Sequence, residues 1–141
     1  MPDIYHQFEI RGNREAVFDA IAKAEGLNSW WTLEAGGEPV LGSEYRFYFG
    51  PEYDWLAKVV EVRSGHEIRW SLVRAMDDWL PTTFGFELAD AEQGTTVRFS
   101  HTGWTSEGEH FAITSFCWGQ LLNGLKNYVE NGVVIPFEKR N

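Results

Sequence analysis

Hydrophobic and polar residues alternate near the start of the chain, with Ile4, His6, Phe8 and Ile10 on one side and Tyr5, Gln7 and Glu9 on the other. A period of two marks a strand with one buried face. Gly12-Asn13 ends the alternation, and Asn13 is placed to cap a helix beginning Arg14-Glu15-Ala16, because its side-chain oxygen can accept an orphan amide of the first turn. Val17, Phe18 and Ile21 recur at helical spacing before Gly26. Leu27-Asn-Ser-Trp30-Trp31 predicts a short second helical turn. The glycines and proline between Glu34 and Gly42 predict a loop or a weak edge strand.

Five more strands are predicted, at about Ser43–Phe49, Asp54–Arg63, Glu67–Arg74, Thr82–Ala89 and Thr95–Thr102. Gly50-Pro51, Ser64-Gly65, Pro81 and Gln93-Gly94 supply the turns. Such short links cannot hold parallel crossovers, so the sheet is an antiparallel meander. From about Glu107 to Asn131 the period becomes helical, with Ile113, Cys117, Leu121, Leu125 and Tyr128 or Val129 in one stripe and Gly132 as the stop. That stripe needs a partner, and the aromatic face of the sheet is the one large apolar surface on offer. The expected class is α+β. A curved antiparallel sheet of about six or seven strands wraps a long C-terminal helix, with two small helices between the first two strands. Residues 1–141 form one domain, as the length suggests.

Seven tryptophans, five tyrosines and ten phenylalanines sharpen this picture, because they fall on alternating strand positions. By parity Tyr45, Phe47, Trp70, Phe84, Phe86 and Phe99 face the helix, with Phe116 and Trp118 on or beside its stripe. Rings of about 150–250 Å² each make either a thick core or a lined cavity.

The order of elements resembles the START-like, or SRPBCC, superfamily, and within it the subfamily named after the activator of the ninety-kilodalton heat-shock protein's ATPase. Glu15-Ala-Val17-Phe18-Asp-Ala20-Ile21 with Trp30-Trp31 is similar to that subfamily's first helix and paired tryptophans. Leu41-Gly42 and Ala57-Lys-Val59-Val-Glu61-Val62 resemble its next strands. Gly94-Thr95-Thr-Val97-Arg-Phe99-Ser-His101-Thr-Gly103-Trp104 resembles its glycine-threonine hairpin, and Trp118-Gly119 through Glu130-Asn-Gly132 its closing helix. Asn13-Arg14 stands where a proline is usual, and Ala57 where a glycine is common. The resemblance implies the helix-grip fold, a ligand cavity between sheet and helix, and a functionally diverse family.

On that basis Trp31, Tyr45, Phe47, Trp70, Trp79, Phe84, Phe86, His101, Phe116 and Trp118 are the candidate ligand-binding residues. Trp30 and Trp31 cannot both face inward on a helix, so one is expected in the core and the other at the rim. Arg74 with Asp77-Asp78-Trp79 forms either a loop that gates the cavity or a solvated turn with an internal ion pair. His101 and His6 share the parity of apolar neighbours. Each is a hydrogen-bonded core residue or, with a partner such as Glu61, a general base. Glu61 itself fits either face. Cys117 lacks the nearby positive charge that a reactive thiolate wants, and reads as packing. No His-x-x-x-His or Cys-x-x-Cys spacing suggests a metal, and no cofactor is expected.

A net charge of −9 argues against nucleic acid, which wants a basic face. One cysteine excludes an intramolecular disulfide. With Asp3 and His6 interrupting any signal-like run, a reducing, cytoplasmic setting is expected. No membrane span is expected. Binding of a small hydrophobic or amphipathic molecule is the favoured function. A cyclase- or hydrolase-like enzyme and a cochaperone-like interaction domain are the alternatives. Strand edges and surplus tryptophans allow a homodimer, though no residue specifies one.

Overall fold

The computed structural model describes residues 3–140. Strand β1 (Ile4–Ile10) leads into α1 (Arg14–Ala22) and α2 (Ala24–Trp30). Strands β2 (Glu34–Gly36), β3 (Glu44–Tyr48), β4 (Asp54–Arg63), β5 (Glu67–Arg74), β6 (Thr83–Ala91) and β7 (Gly94–Thr102) follow, and α3 (Glu109–Asn131) closes the domain. Asn13 caps α1 as its residue type suggests, accepting the Ala16 amide at 2.8 Å. Gly132 ends α3 in the left-handed conformation, with its amide donating to Asn127 and Tyr128.

The seven strands form one antiparallel sheet in the order β1-β7-β6-β5-β4-β3-β2. This is the helix-grip architecture, with the sheet curled around α3 and the two small helices following β1. The region between Glu34 and Gly42 holds a three-residue edge strand. Alternation places Tyr45, Phe47, Ile68, Trp70, Phe84, Phe86, Val97, Phe99 and His101 in the core.

Two local expectations are corrected, and one open alternative is resolved. Trp30 and Trp31 are both buried, because α2 ends at Trp30 and Trp31 occupies the cap with non-helical dihedrals. Helical geometry therefore does not set their relative direction. On α3 the buried residues are Thr114, Trp118, Leu121, Leu122 and Leu125. The helix is turned so that Trp118, with the larger apolar area, replaces Cys117 on the inner stripe. Ile113 and Phe116 are left outside, Phe116 at 67% exposure. Strand β4 follows both parities in succession: Ala57 and Val59 are buried, then a bulge between Val59 and Glu61 shifts the register and Val62 turns inward. Glu61 is exposed.

Candidate ligand-binding cleft

The space beneath the middle of the sheet is filled. Trp118 from α3 packs 4.4 Å from Phe99, 5.1 Å from Trp31 and 5.9 Å from Phe84, measured between ring centroids. Tyr45, Phe47 and Trp70 continue the stack at 5.2–5.8 Å. Tyr45 donates its hydroxyl to the Ala22 carbonyl at 2.6 Å, and burial pushes its pKa upward. Trp30 donates to the Ala20 carbonyl at 2.9 Å, joining α2 to α1.

His101 is locked into this core. The indole N–H of Trp118 donates to His101 Nδ1 at 3.1 Å, which leaves the ring proton on Nε2. Nε2 lies 2.8 Å from the Thr82 hydroxyl, and that hydroxyl donates to the Trp79 carbonyl at 2.6 Å. Every polar atom in the chain of bonds is satisfied only while the imidazole is neutral. Burial holds its pKa down at about 3.

Open space begins where the rings from the sheet meet smaller residues on α3. A cleft of about 450 Å³ lies there, floored by Trp31, Trp79 and Trp118. Phe49, Tyr53 and Trp55 from the β3–β4 hairpin form one wall. Ile113, Thr114 and Cys117 from the first half of α3 form another, and Phe137 and Arg140 of the C-terminal tail a third. The hairpin wall depends on Gly50, whose φ of +141° permits the turn in which the Phe49 amide bonds the Tyr53 carbonyl at 2.9 Å. Trp79 is turned inward by a tight loop in which its amide bonds the Met76 carbonyl at 2.9 Å.

Three of the ten candidate residues, Trp31, Trp79 and Trp118, thus line the cleft. Tyr45, Phe47, Trp70, Phe84, Phe86 and His101 lie behind it in the packed core, while Phe116 points to solvent. Cleft residues absent from the sequence-based set include Tyr53, Trp55, Cys117 and Arg140. Trp55 shares the parity of the inward Ala57 and Val59, one of the two alternations that β4 allows.

The Arg74 loop pairs with other elements rather than within itself. Arg74 Nε donates to the Asp54 carbonyl at 2.8 Å, and Asp78 lies 2.8 Å from His110 of α3. His6 sits apart from the cleft, beside Gly119 and Lys126 in a smaller groove. His101, His6 and Glu61 are therefore not gathered into one catalytic group. Among the described residues, no set of three or more His, Cys, Asp or Glu is placed to hold a metal ion. Nor is any helix there long and apolar enough to cross a membrane.

The family model for Activator of Hsp90 ATPase homolog 1-like protein matches residues 11–130. The chain belongs to this family. Among solved structures, the solution structure of the Aha1 dimer from Colwellia psychrerythraea is 29% identical, with a TM-score of 0.85 over 94% of this chain and 98% of that one. Protein SSP2350 from Staphylococcus saprophyticus is 20% identical, with a TM-score of 0.81 over 95% and 96% of the two chains. DynU16, of the dynemicin biosynthetic locus, is 18% identical with a TM-score of 0.79; the match spans 94% of this chain and 48% of DynU16. No curated protein matches. Membership in this family accounts for the helix-grip fold.

Proposed function

We propose that this member of the family binds a small hydrophobic or amphipathic molecule in the cleft beside the first half of α3. The observation that carries the reading is an opening of about 450 Å³ lined almost wholly by rings and aliphatic groups. Small-molecule sites have this size and character, apolar with a few polar groups. Trp31, Trp79 and Trp118 are the ring contacts in this reading. Tyr45, Phe47, Trp70, Phe84, Phe86 and His101 hold those three in place from behind. Each Å² of apolar surface removed from water contributes about 25 cal/mol, so a ligand covering the floor binds without any strong polar contact.

Native and denaturing mass spectra of the purified protein test the proposal. A small molecule retained in the first and lost in the second is expected. Ile113→Glu should abolish retention while leaving the fold intact, since Ile113 is half-exposed. Retention unaffected by that substitution would place the ligand elsewhere.

A second reading, pairing of two copies, is supported by the Colwellia relative described as a dimer and by the exposed Phe116 of α3. Sedimentation of the wild type against Phe116→Glu decides it. A dimer that Phe116→Glu dissociates is expected, and a monomer at high protein concentration removes the reading.

A further inference from the structure

Charge distinguishes the cleft from the rest of the molecule. The chain has 21 Asp and Glu against 12 Lys and Arg, yet among the described residues no Asp or Glu side chain lines the cleft. Its basic side chains are His110 and Arg140. Asp78, on the outside, takes up His110 Nδ1 at 2.8 Å.

Arg140 reaches the cleft on the C-terminal tail. After Gly132 the chain doubles back, and Ile135, Lys139 and Arg140 border a groove with Gly124, Gln120 and Leu121 of α3. Nε of Arg140 donates to the Ile135 carbonyl at 2.8 Å, one terminal nitrogen to Thr32 at 3.0 Å and the other to Asn28 at 2.9 Å. These carbonyls fix the guanidinium but do not neutralise it, and Glu138 acts on it by charge without forming a salt bridge among the described residues. A guanidinium has five N–H donors, so part of the fork stays unspent. Burial holds the Arg140 pKa below the usual arginine range. The protein's overall negative charge opposes an approaching anion at long range. Screening, however, confines that repulsion to about 8 Å at physiological salt, so the lining decides at contact.

We propose that Arg140 makes the cleft selective for amphipathic molecules with an anionic head group, their apolar bodies lying on Trp31, Trp79 and Trp118. The proposal rests on the binding role assigned above to the same cleft. Arg140 is a specificity-determining residue delivered by the tail, and its three main-chain bonds leave two of its five donors for a ligand.

Titration of tryptophan fluorescence with decanoate, decanol and decylammonium separates head-group choice from apolar binding. Decanoate is expected to bind about tenfold more tightly than decanol, as a charge-assisted bond allows, with decylammonium weakest. Arg140→Met keeps the apolar stem. It should bring the ratio of decanoate to decanol affinity from about tenfold to about one, a readout independent of any weakening of both probes from loss of the three carbonyl bonds. Arg140→Lys should retain part of the preference. Equal affinity of decanoate and decanol in the wild type, or a preference that survives Arg140→Met, overturns the assignment and leaves apolar binding standing. Failure of all three probes to bind removes the binding role and the selectivity together.

Discussion

The middle of the concave sheet face and its open end use the same residue types to opposite effect. In the middle, large side chains arrive from three sides: Phe84 and Phe99 from the sheet, Trp118 from α3 and Trp31 from the cap of α2. At the open end, Phe49, Tyr53 and Trp55 look across the cleft to Ile113, Thr114 and Cys117 of α3, which are smaller than the rings. Aromatic richness therefore does not distinguish core from pocket. The volume of the opposing helix residues does, because interiors pack to crystal density wherever the facing groups allow it.

The largest effect should come from opening the filled region. Trp118→Ala is expected to destabilise the fold by about 3–5 kcal/mol in chemical denaturation, the usual range for a deleted core tryptophan. It also strips His101 Nδ1 of its donor. A loss under 1 kcal/mol would mean that the middle is loosely packed and the contrast false.

Next is the titration of His101. Its folded-state pKa is depressed to about 3 by burial, so the unfolded chain binds the extra proton first. This contribution to stability is complete above the ordinary value of 6.5 and is lost as pH falls toward 3. Between neutral pH and pH 5 the loss should be about 2 kcal/mol. It should appear as a fall in Tm that is flattened in His101→Gln. A wild-type Tm that ignores this pH range would show that the imidazole is not locked.

Glu130 gives a smaller, acid-range effect. Its carboxylate accepts the Arg11 amide at 2.8 Å and Lys126 Nζ at 2.9 Å, which hold its pKa down at about 2. The stability it adds is present above about pH 4.5 and fades as pH falls toward 2. Arg11 is largely solvated and Lys126 about a third exposed, so Glu130→Gln should lower Tm by less than the His101 effect. A drop as large as that from Trp118→Ala would move the strongest tie from the ring stack to this end of α3.

The smallest stability change is expected at the open end. Cys117→Phe should shift denaturation by less than about 1 kcal/mol, because the added ring enters empty space rather than a filled core. The same substitution should abolish retention of the small molecule. Retained binding would mean that the cleft is not the site.

Strand number, antiparallel order, the grip on α3 and most inward-facing rings were legible in the sequence, because side-chain period and turn chemistry are local properties. The rotation of α3 was not. The choice between Cys117 and Trp118 on the stripe depends on a pocket assembled by Phe84, Phe99 and Trp31, residues distant in sequence. The parity of β4 was ambiguous for a physical reason: each half of the strand obeys a different alternation across the bulge. The tail wall of Phe137 and Arg140 had no signal in the chain pattern, since three main-chain carbonyls hold Arg140.

The placement of β1 has a consequence for biosynthesis. β1 precedes the other six strands in the chain, but among the described residues it pairs with β7 alone, in a register that sets Ile4 opposite His101. The intervening meander can begin to zip strand by strand as it emerges. β1 must wait, with its hydrogen-bonding edges unpaired, until β7, about ninety residues further along, has been translated. Closing so long a loop is slow for entropic reasons and leaves an aggregation-prone edge exposed in the meantime. The nascent chain, more than the finished domain, is where this fold is vulnerable.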